Sequence, residues 1–574
     1  MTGRRQVRHP SAWFFVVLFI AQSQHLLNAR AQDTSSQPIN HLAANPPRLI
    51  VQIVVDQLRG DMLTRYHDRF EAGGFRLLMD QGIWYTDAHH PYAATQTAVG
   101  HATLATGAFP SRHGIVANNW YDPKTHAFRE ATADPSTSIV GDPSTHGSSP
   151  VSLMTTTFSD ELTISTDHRS KIFAVSVKDR GAIPLAGHTG KAYWFSNTSG
   201  RFVTSTYYEK NYPAWVKRWN DQDRSGSWAG KTWTPLRDIS TYLYADQPPY
   251  APSEFGYGSK FPHPFGANEA KDAYFPKLMV SYVGDELTLD FAEALISNES
   301  LGRGTVPDYL GISFSSNDLV GHFFTNTSPE SEDVLLRLDH DLALLFEFID
   351  KQPGLGLQNT LIVLSGDHGM AEIPAYLEHL GIPTGTVDHT ALLAAVKDGL
   401  QTRYKRDDLF AGYSTPYLYL DHSAIAAADL RLEEVQRTAA EAAMSVDGIY
   451  LAQPTSQLTE TSLTDAGLIE RIQRNQYPGR SGDIYVVEDP QWQMGGAATG
   501  GEISIVDHGS PWDYDSFVPV LFGGLSLPAE RISRPIATTD IAATLAGRVG
   551  TKLPSGNSGV ELPEVIAAQP AIHR

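Results

Sequence analysis

Leu49-Ile-Val-Gln-Ile-Val-Val55 is a strand-length, almost wholly apolar run, and it ends in Asp56. The arrangement recurs along the chain. Tyr309-Leu-Gly-Ile-Ser-Phe314 precedes Asp318 and His322, Leu361-Ile-Val-Leu364 precedes Asp367 and His368, and Ile503-Ser-Ile-Val506 precedes His508. A strand that is apolar nearly throughout is buried on both faces, as happens in a parallel sheet covered by helices on either side. Further strands are expected at Ile83-Trp-Tyr-Thr86 and Ser170–Val177, and helices from about Asp61 to Gln81 and around 330–351 and 536–547. Buried runs alternating with helices predict an α/β protein with a mostly parallel central sheet and helices on both faces.

In open α/β sheets, functional groups gather at the carboxyl ends of the strands. One aspartate after a strand is ordinarily a turn or capping residue. The joint pattern is much harder to assign to chance. Asp318 and His322 are four positions apart and share a face if a helix starts after Phe314. Asp367 and His368 lie in Ser365-Gly-Asp-His-Gly-Met370, where the glycines permit a turn, and His508 lies in the turn-like Asp507-His-Gly-Ser-Pro511. The three aspartates and three histidines divide into two sets of mixed N/O donors that suit a borderline metal such as Zn²⁺. Thr97-Ala-Val-Gly-His101 would then supply a nucleophile, because a divalent cation on the threonine oxygen lowers its hydroxyl pKa. Thr95 competes for the role, but the four-residue spacing to His101 favours Thr97. His101 itself is expected to be structural, since a metal-bound alkoxide needs no such base.

Lys178 and Arg180 follow the strand that ends at Val177 and would point to the same side if the backbone stayed extended. Two such cations suit an anion between them, Arg as a planar fork and Lys as a point charge, although a solvated surface pair is equally consistent with the spacing. Asn118, in His113-Gly-Ile-Val-Ala-Asn-Asn-Trp-Tyr-Asp122, is either a turn residue or an amide donor to an oxyanion.

The 574 residues carry 44 Lys and Arg against 64 Asp and Glu, a net charge of −20. That balance argues against a nonspecific nucleic-acid binder. The absence of cysteine excludes disulfides, zinc–thiolate sites and cysteine nucleophiles. Arg4, Arg5 and Arg8, the short apolar core Trp13–Ala21 and the Ala29-Arg-Ala31 site predict a signal peptide over residues 1–31 and export to the periplasm or beyond. No later stretch is long and apolar enough to span a membrane, so no membrane attachment is expected after cleavage. Residues 32–47 read as a linker, 48–560 as one catalytic domain with insertions near 192–265 and 370–500 that could cap the site, and 561–574 as a tail.

The ordered set strand-Asp56, Thr97-x-x-x-His101, Gly114-Ile-Val-x-Asn118, Asp318-x-x-x-His322, Gly366-Asp-His-Gly369 and His508-Gly-Ser-Pro511 resembles the alkaline phosphatase superfamily. Thr538-Thr-Asp-Ile-Ala-Ala-Thr-Leu-Ala546 is similar to its closing helix. Lys178-Asp-Arg-Gly-Ala-Ile183 resembles the monomeric PafA-type bacterial alkaline phosphatases more than the related nucleotide pyrophosphatase/phosphodiesterases. The resemblance implies a monomer that hydrolyses small-molecule phosphate monoesters through a phosphothreonine on Thr97. Asp56, Asp367 and His368 would hold one Zn²⁺ beside Thr97, and Asp318, His322 and His508 a second. Asn118, the Thr97 N–H, Lys178 and Arg180 would bind the nonbridging oxygens. Lys178 would stand where other alkaline phosphatases bind Mg²⁺, so no Mg²⁺ site is implied. The alternative within the superfamily is a phosphodiesterase or nucleotide pyrophosphatase. A sulfatase is excluded because Thr97 cannot become formylglycine.

Overall fold

The structure, a computed structural model, describes residues 46–246, 258–267, 269–458, 466–495 and 507–567. The expected signal peptide, most of the linker, the end of the tail and the expected strand at Ile503–Val506 lie outside the described residues.

The central sheet is built from β1 (Leu49–Val55), β2 (Ile83–His89), β3 (Ile172–Ser176), β4 (Lys191–Phe195), β5 (Phe202–Val203), β6 (Asp308–Phe314), β7 (Thr360–Gly366), β8 (Phe517–Gly524), β9 (Glu530–Ile532) and β10 (Ile536–Ala537). Across the sheet the order is β9-β2-β8-β7-β1-β6-β3-β4-β5, with β10 also paired to β2. The pairs β1–β6, β1–β7, β6–β3 and β3–β4 are parallel. Only β5 and β8 run against the rest. The expected fold class is therefore the observed one.

The side-chain period of two explains why this sheet is covered on both faces. Along β1, Leu49, Val51, Ile53 and Val55 enter one hydrophobic cluster, while Ile50 and Val54 enter the other. Strands β6 and β7 split likewise, with Leu310, Ile312, Ile362 and Leu364 on the first face and Tyr309, Leu361 and Val363 on the second. Six helices matter to the site: α1 (Thr97–Thr106), α2 (Asp179–Ala186), α3 (Val283–Glu299), α4 (Ser316–Phe324), α5 (Pro329–Asp350) and α6 (Asp540–Val549). Gly311 admits α2 onto the sheet, since a Cβ there would lie 2.7 Å from Leu185 Cβ.

The helix expected over Asp61–Gln81 is broken into Gly60–Arg65, a single 3₁₀ turn at His67–Arg69, and Phe75–Gln81. Helix α5 causes the break. Its Asp339 carboxylate accepts the Glu71 N–H (2.5 Å) and the Phe75 N–H (2.7 Å), so the chain turns around that side chain. A Cβ at Gly74 would fall 2.2 Å from the Asp339 carbonyl oxygen.

The two long irregular regions differ. Within 370–500, Phe410–Ser414, Tyr417–Leu420, Ile449–Pro454 and Ile484–Glu488 form a separate four-stranded antiparallel sheet. The described aromatics of 192–246 and 258–265 serve packing and docking instead. Asp333 of α5 accepts from Trp233 Nε1 (2.7 Å), the Leu236 N–H (2.6 Å) and the Tyr242 hydroxyl (2.5 Å).

Helices α3 and α4 are locked at their N-termini by a reciprocal pair. The Ser316 N–H donates to Asp285 Oδ1 (3.0 Å) and the Asp285 N–H donates to Ser316 Oγ (3.1 Å). Burial pushes the Asp285 carboxyl up to about 7 despite these hydrogen bonds. A raised carboxyl favours the folded state while protonated, and that contribution is lost as pH rises from the ordinary carboxylate range through about 7. Asp285→Asn mimics the neutral acid. Urea unfolding at matched metal load should find the variant close to wild type at about pH 5 and less sensitive to a rise to about pH 8. An unchanged pH slope would disprove the assignment.

Candidate metal and nucleophile site

Register sets the geometry. Val55 at the end of β1 lies level with Phe314 of β6 and Gly366 of β7. The residues that follow these three strand ends therefore emerge side by side, with Asp56 in the middle. Asp318 and His322 then project from α4, and Asp367 and His368 from the turn after β7.

Asp56, Asp367 and His368 are fully buried and converge. His368 Nε2 lies 3.3 Å from Asp56 Oδ1 and 3.6 Å from Asp367 Oδ2. None of the three atoms makes an aligned hydrogen bond, although Asp367 Oδ2 also lies 3.1 Å from His101 Nδ1. Three orphaned donor atoms aimed at one point are costly unless a cation joins them, so the residues fit a metal ion. His368 Nδ1 is 2.9 Å from the Gly369 carbonyl, to which it donates, orienting Nε2 toward the carboxylates. Burial disfavours a charged His368 ring, but Asp367 and Asp56 outweigh it and hold the group up at about 10. The same site demands positive charge.

The second set also meets. Asp318 Oδ1 is 3.2 Å from His322 Nε2 and 3.6 Å from His508 Nε2. His508 Nδ1 donates to the Thr95 carbonyl (2.8 Å), again presenting Nε2. Burial and the neighbouring His368 keep the His508 ring neutral, well below its ordinary pKa. The rings of His368 and His508 stack with centroids 3.6 Å apart, so the two donor sets are contiguous.

Thr97 opens α1, which leaves its N–H without an intrahelical acceptor. It lines a cleft of 340 Å³ together with Asn118, Arg180, Asp318, His322 and His508. Thr95 does not line that cleft, and its hydroxyl donates to the Ser510 carbonyl (2.7 Å). Asn118 Oδ1 accepts the Ala98 N–H (2.9 Å), which turns its NH₂ outward as a donor. Both His101 nitrogens are near partners, Nδ1 at 2.8 Å from the Thr97 carbonyl and Nε2 at 2.9 Å from Ser313 Oγ, as a structural histidine requires.

Lys178 and Arg180 are near enough to repel one another, but they do not share an extended strand. The extended backbone on which that expectation rested stops at Lys178, the N-cap of α2. Lys178 Nζ turns inward, 2.6 Å from Asp56 Oδ2 and also against Asp318 Oδ2. Burial opposes its charge, but Asp318 and Asp56 raise its pKa. Arg180 faces the cleft, and among the described residues no carboxylate forms an ion pair with it; its buried Nε has no partner.

Sequence reading missed several supports. Gln57 bridges the two donor sets, its N–H on Asp367 Oδ1 (3.0 Å) and its Nε2 on Asp318 Oδ1 (2.8 Å). It does so from a left-handed backbone, φ 63°, which is uncommon outside glycine. Gln96 accepts the Asn118 N–H (2.6 Å) and donates to the Thr415 carbonyl (2.9 Å). Arg59 donates to the Met370 carbonyl (2.9 Å) and to Glu372 (2.8 Å), clamping the turn after His368. No residue type or spacing announces these contacts, which depend on backbone placement.

Gly100 brings α1 against the metal turn. A Cβ there would lie 2.1 Å from the Asp367 carbonyl oxygen and 2.7 Å from its Cβ. Gly100→Ala should lower stability by about 1–3 kcal/mol in urea unfolding, the usual cost of overpacking. It should also weaken metal uptake in a chelator competition. Wild-type values in both would show that the turn yields freely.

Comparison with known proteins assigns the chain to a family and a fold. The model of the family "Type I phosphodiesterase / nucleotide pyrophosphatase" matches residues 50–511. Alkaline phosphatase PafA of Elizabethkingia meningoseptica is 32% identical over 565 residues, covering 97% of this chain and 99% of that protein. A Myroides odoratus protein named calcium-transporting ATPase is 33% identical over 527 residues, 91% of this chain and 95% of its own. The crystal structure of wild-type PafA superposes with a TM-score of 0.84 at 32% identity, covering 91% of this chain and all of PafA. The chain thus belongs to the type I phosphodiesterase/nucleotide pyrophosphatase family, within the alkaline phosphatase superfamily and similar along almost its whole length to PafA.

Proposed function

We propose that this chain is a metal-dependent alkaline phosphatase, a phosphoric monoester hydrolase that works through a covalent phosphothreonine on Thr97. The observation that carries the choice of monoester is Arg180, a cleft-facing guanidinium without a carboxylate partner among the described residues. A monoester dianion carries one more charge than a diester and gains more from such a group. The full-length similarity to PafA supports the same reading.

Two Zn²⁺ ions suit the N/O donors, one with the close group Asp56, Asp367 and His368 and one with Asp318 and the two histidines it approaches, His322 and His508. When bound, such ions would lower the pKa of the Thr97 hydroxyl and neutralise charge on the reacting oxygens. The rest falls to this chain's side chains. The Thr97 oxygen attacks phosphorus, the bond to the alcohol breaks, and the alcohol leaves with a proton. Water then attacks the phosphothreonine, releasing phosphate and restoring Thr97. The Thr97 N–H, the Asn118 amide and Arg180 hold nonbridging oxygens. Lys178 contributes charge from below through Asp56 and Asp318, and its place there is the reason to expect no Mg²⁺ site. Substrates are small phosphate monoesters, and the protein acts as an exported monomer. No helix among the described residues is long and apolar enough to cross a membrane.

The family model's own description favours diester hydrolysis as the second reading. Comparison of kcat/KM for p-nitrophenyl phosphate and bis-p-nitrophenyl phosphate separates the two. The expected outcome is a strong monoester preference, lost with a chelator and restored by Zn²⁺. Thr97→Ala should abolish turnover and ³²P labelling of the chain. Arg180→Ala should lower the monoester/diester ratio by about tenfold or more, the worth of a charged hydrogen bond of about 1.5–3 kcal/mol. A diester preference in wild type, or a ratio indifferent to Arg180, would overturn the monoester assignment.

A further inference from the structure

Asp507 has no place in the scheme above. It immediately precedes His508, and a carboxylate oxygen of Asp507, a ring nitrogen of His322 and a ring nitrogen of His508 lie within 4.8 Å of one another. Asp507 lines the same cleft as Thr97, on the side of His322 and His508. Its Oδ1 accepts the N–H of His508 (2.9 Å), which holds the side chain in one orientation. Among the described residues, no lysine or arginine pairs with it. Its other acidic neighbours are Asp318 and the buried Glu488 and Asp515. Its favourable neighbours are the imidazoles of His322 and His368, and a buried carboxylate beside acids with no Lys or Arg partner is expensive unless a cation compensates it.

We propose that Asp507 is a fourth protein donor to the ion held by Asp318, His322 and His508, so that this ion sits among two carboxylates and two imidazoles. The inference rests on the two-ion reading of the site. It follows from geometry in this chain: the carboxylate shares a three-donor group with two of the three residues already assigned to that ion. An additional carboxylate lowers the net charge of the ion's surroundings and strengthens its retention. A competing role, in which Asp507 only braces the turn through the His508 N–H, makes a different prediction, because Asn keeps that acceptor oxygen.

The test is metal binding, read without turnover. Metal-free full-length wild type, Asp507→Asn and Asp507→Glu are titrated with Zn²⁺ against a chromophoric chelator, and bound metal is counted by mass spectrometry. Wild type should take up two ions per chain. Asp507→Asn should hold the first ion as wild type does and the second about 10–100-fold more weakly, the range found when a residue supporting a metal ligand is removed. Asp507→Glu, which restores the charge, should recover part of that loss. Loading with Co²⁺ adds a second readout, since removing a carboxylate donor changes the visible d–d absorption. Unchanged second-ion affinity and an unchanged Co²⁺ spectrum in Asp507→Asn would overturn the proposal while leaving the two-ion reading intact. A wild type that takes up fewer than two ions would instead overturn the two-ion reading itself.

Discussion

Asp56, Asp318 and Asp367 are packed against one another at the ends of adjacent strands with almost no access to water. Like charges in such a place repel strongly, because little solvent screens them. The surrounding structure answers that constraint. Lys178 reaches from the start of α2 to Asp56 and Asp318, and His368 sits between Asp56 and Asp367. Burial and Asp318 push the Asp56 carboxyl up, yet Lys178 and His368 bring it well below the ordinary carboxylate range. Even so, Asp56 Oδ1, Asp367 Oδ2 and His368 Nε2 make no aligned hydrogen bond. The fold concentrates negative charge for which divalent cations are the natural complement.

Much of the architecture serves this concentration. Strand β1 must lie between β6 and β7, or Asp56 would not reach both neighbours. Gly100 and Gly321 are small because the helices that carry the site approach its turns closely; a Cβ at Gly321 would fall 2.1 Å from Gln57 Oε1. Gln57 keeps a left-handed backbone so that one residue can bond both donor sets, an instance of local strain kept where function needs it. The cleft above is lined on one side by Tyr413 and Ser414 of the separate small sheet and by Thr415 in the turn that follows, and Gln96 ties that turn to the start of α1.

The donor set was legible because its chemistry is written in residue types at strand ends. Asp56 and Asp367 directly follow apolar runs, and Asp318 with His322 fit one helix face. The choice between Thr95 and Thr97 rested on spacing, and the buried hydrogen bond of the Thr95 hydroxyl to Ser510 supplies a physical reason. Which way Lys178 and Arg180 face was not legible, because the sequence does not show where extended backbone gives way to helix. Asp507 was passed over because an aspartate beside a histidine in a turn is ordinary; only its proximity to His322 makes it notable.

By itself the sequence determined that the sheet is mostly parallel and covered on both faces, since apolar runs with a side-chain period of two leave no face for water. It determined too that Asp and His residues gather at the ends of those strands. Strand order, register and helix approach were decided only in three dimensions, through contacts between residues as far apart as Asp56, Lys178, Asp318 and His368. Local sequence carries no record of which strand lies beside which. That is why the clustered aspartates and histidines could be named from the chain, while their neighbours, from Lys178 to Gln57 and Asp507, became visible only in the folded molecule.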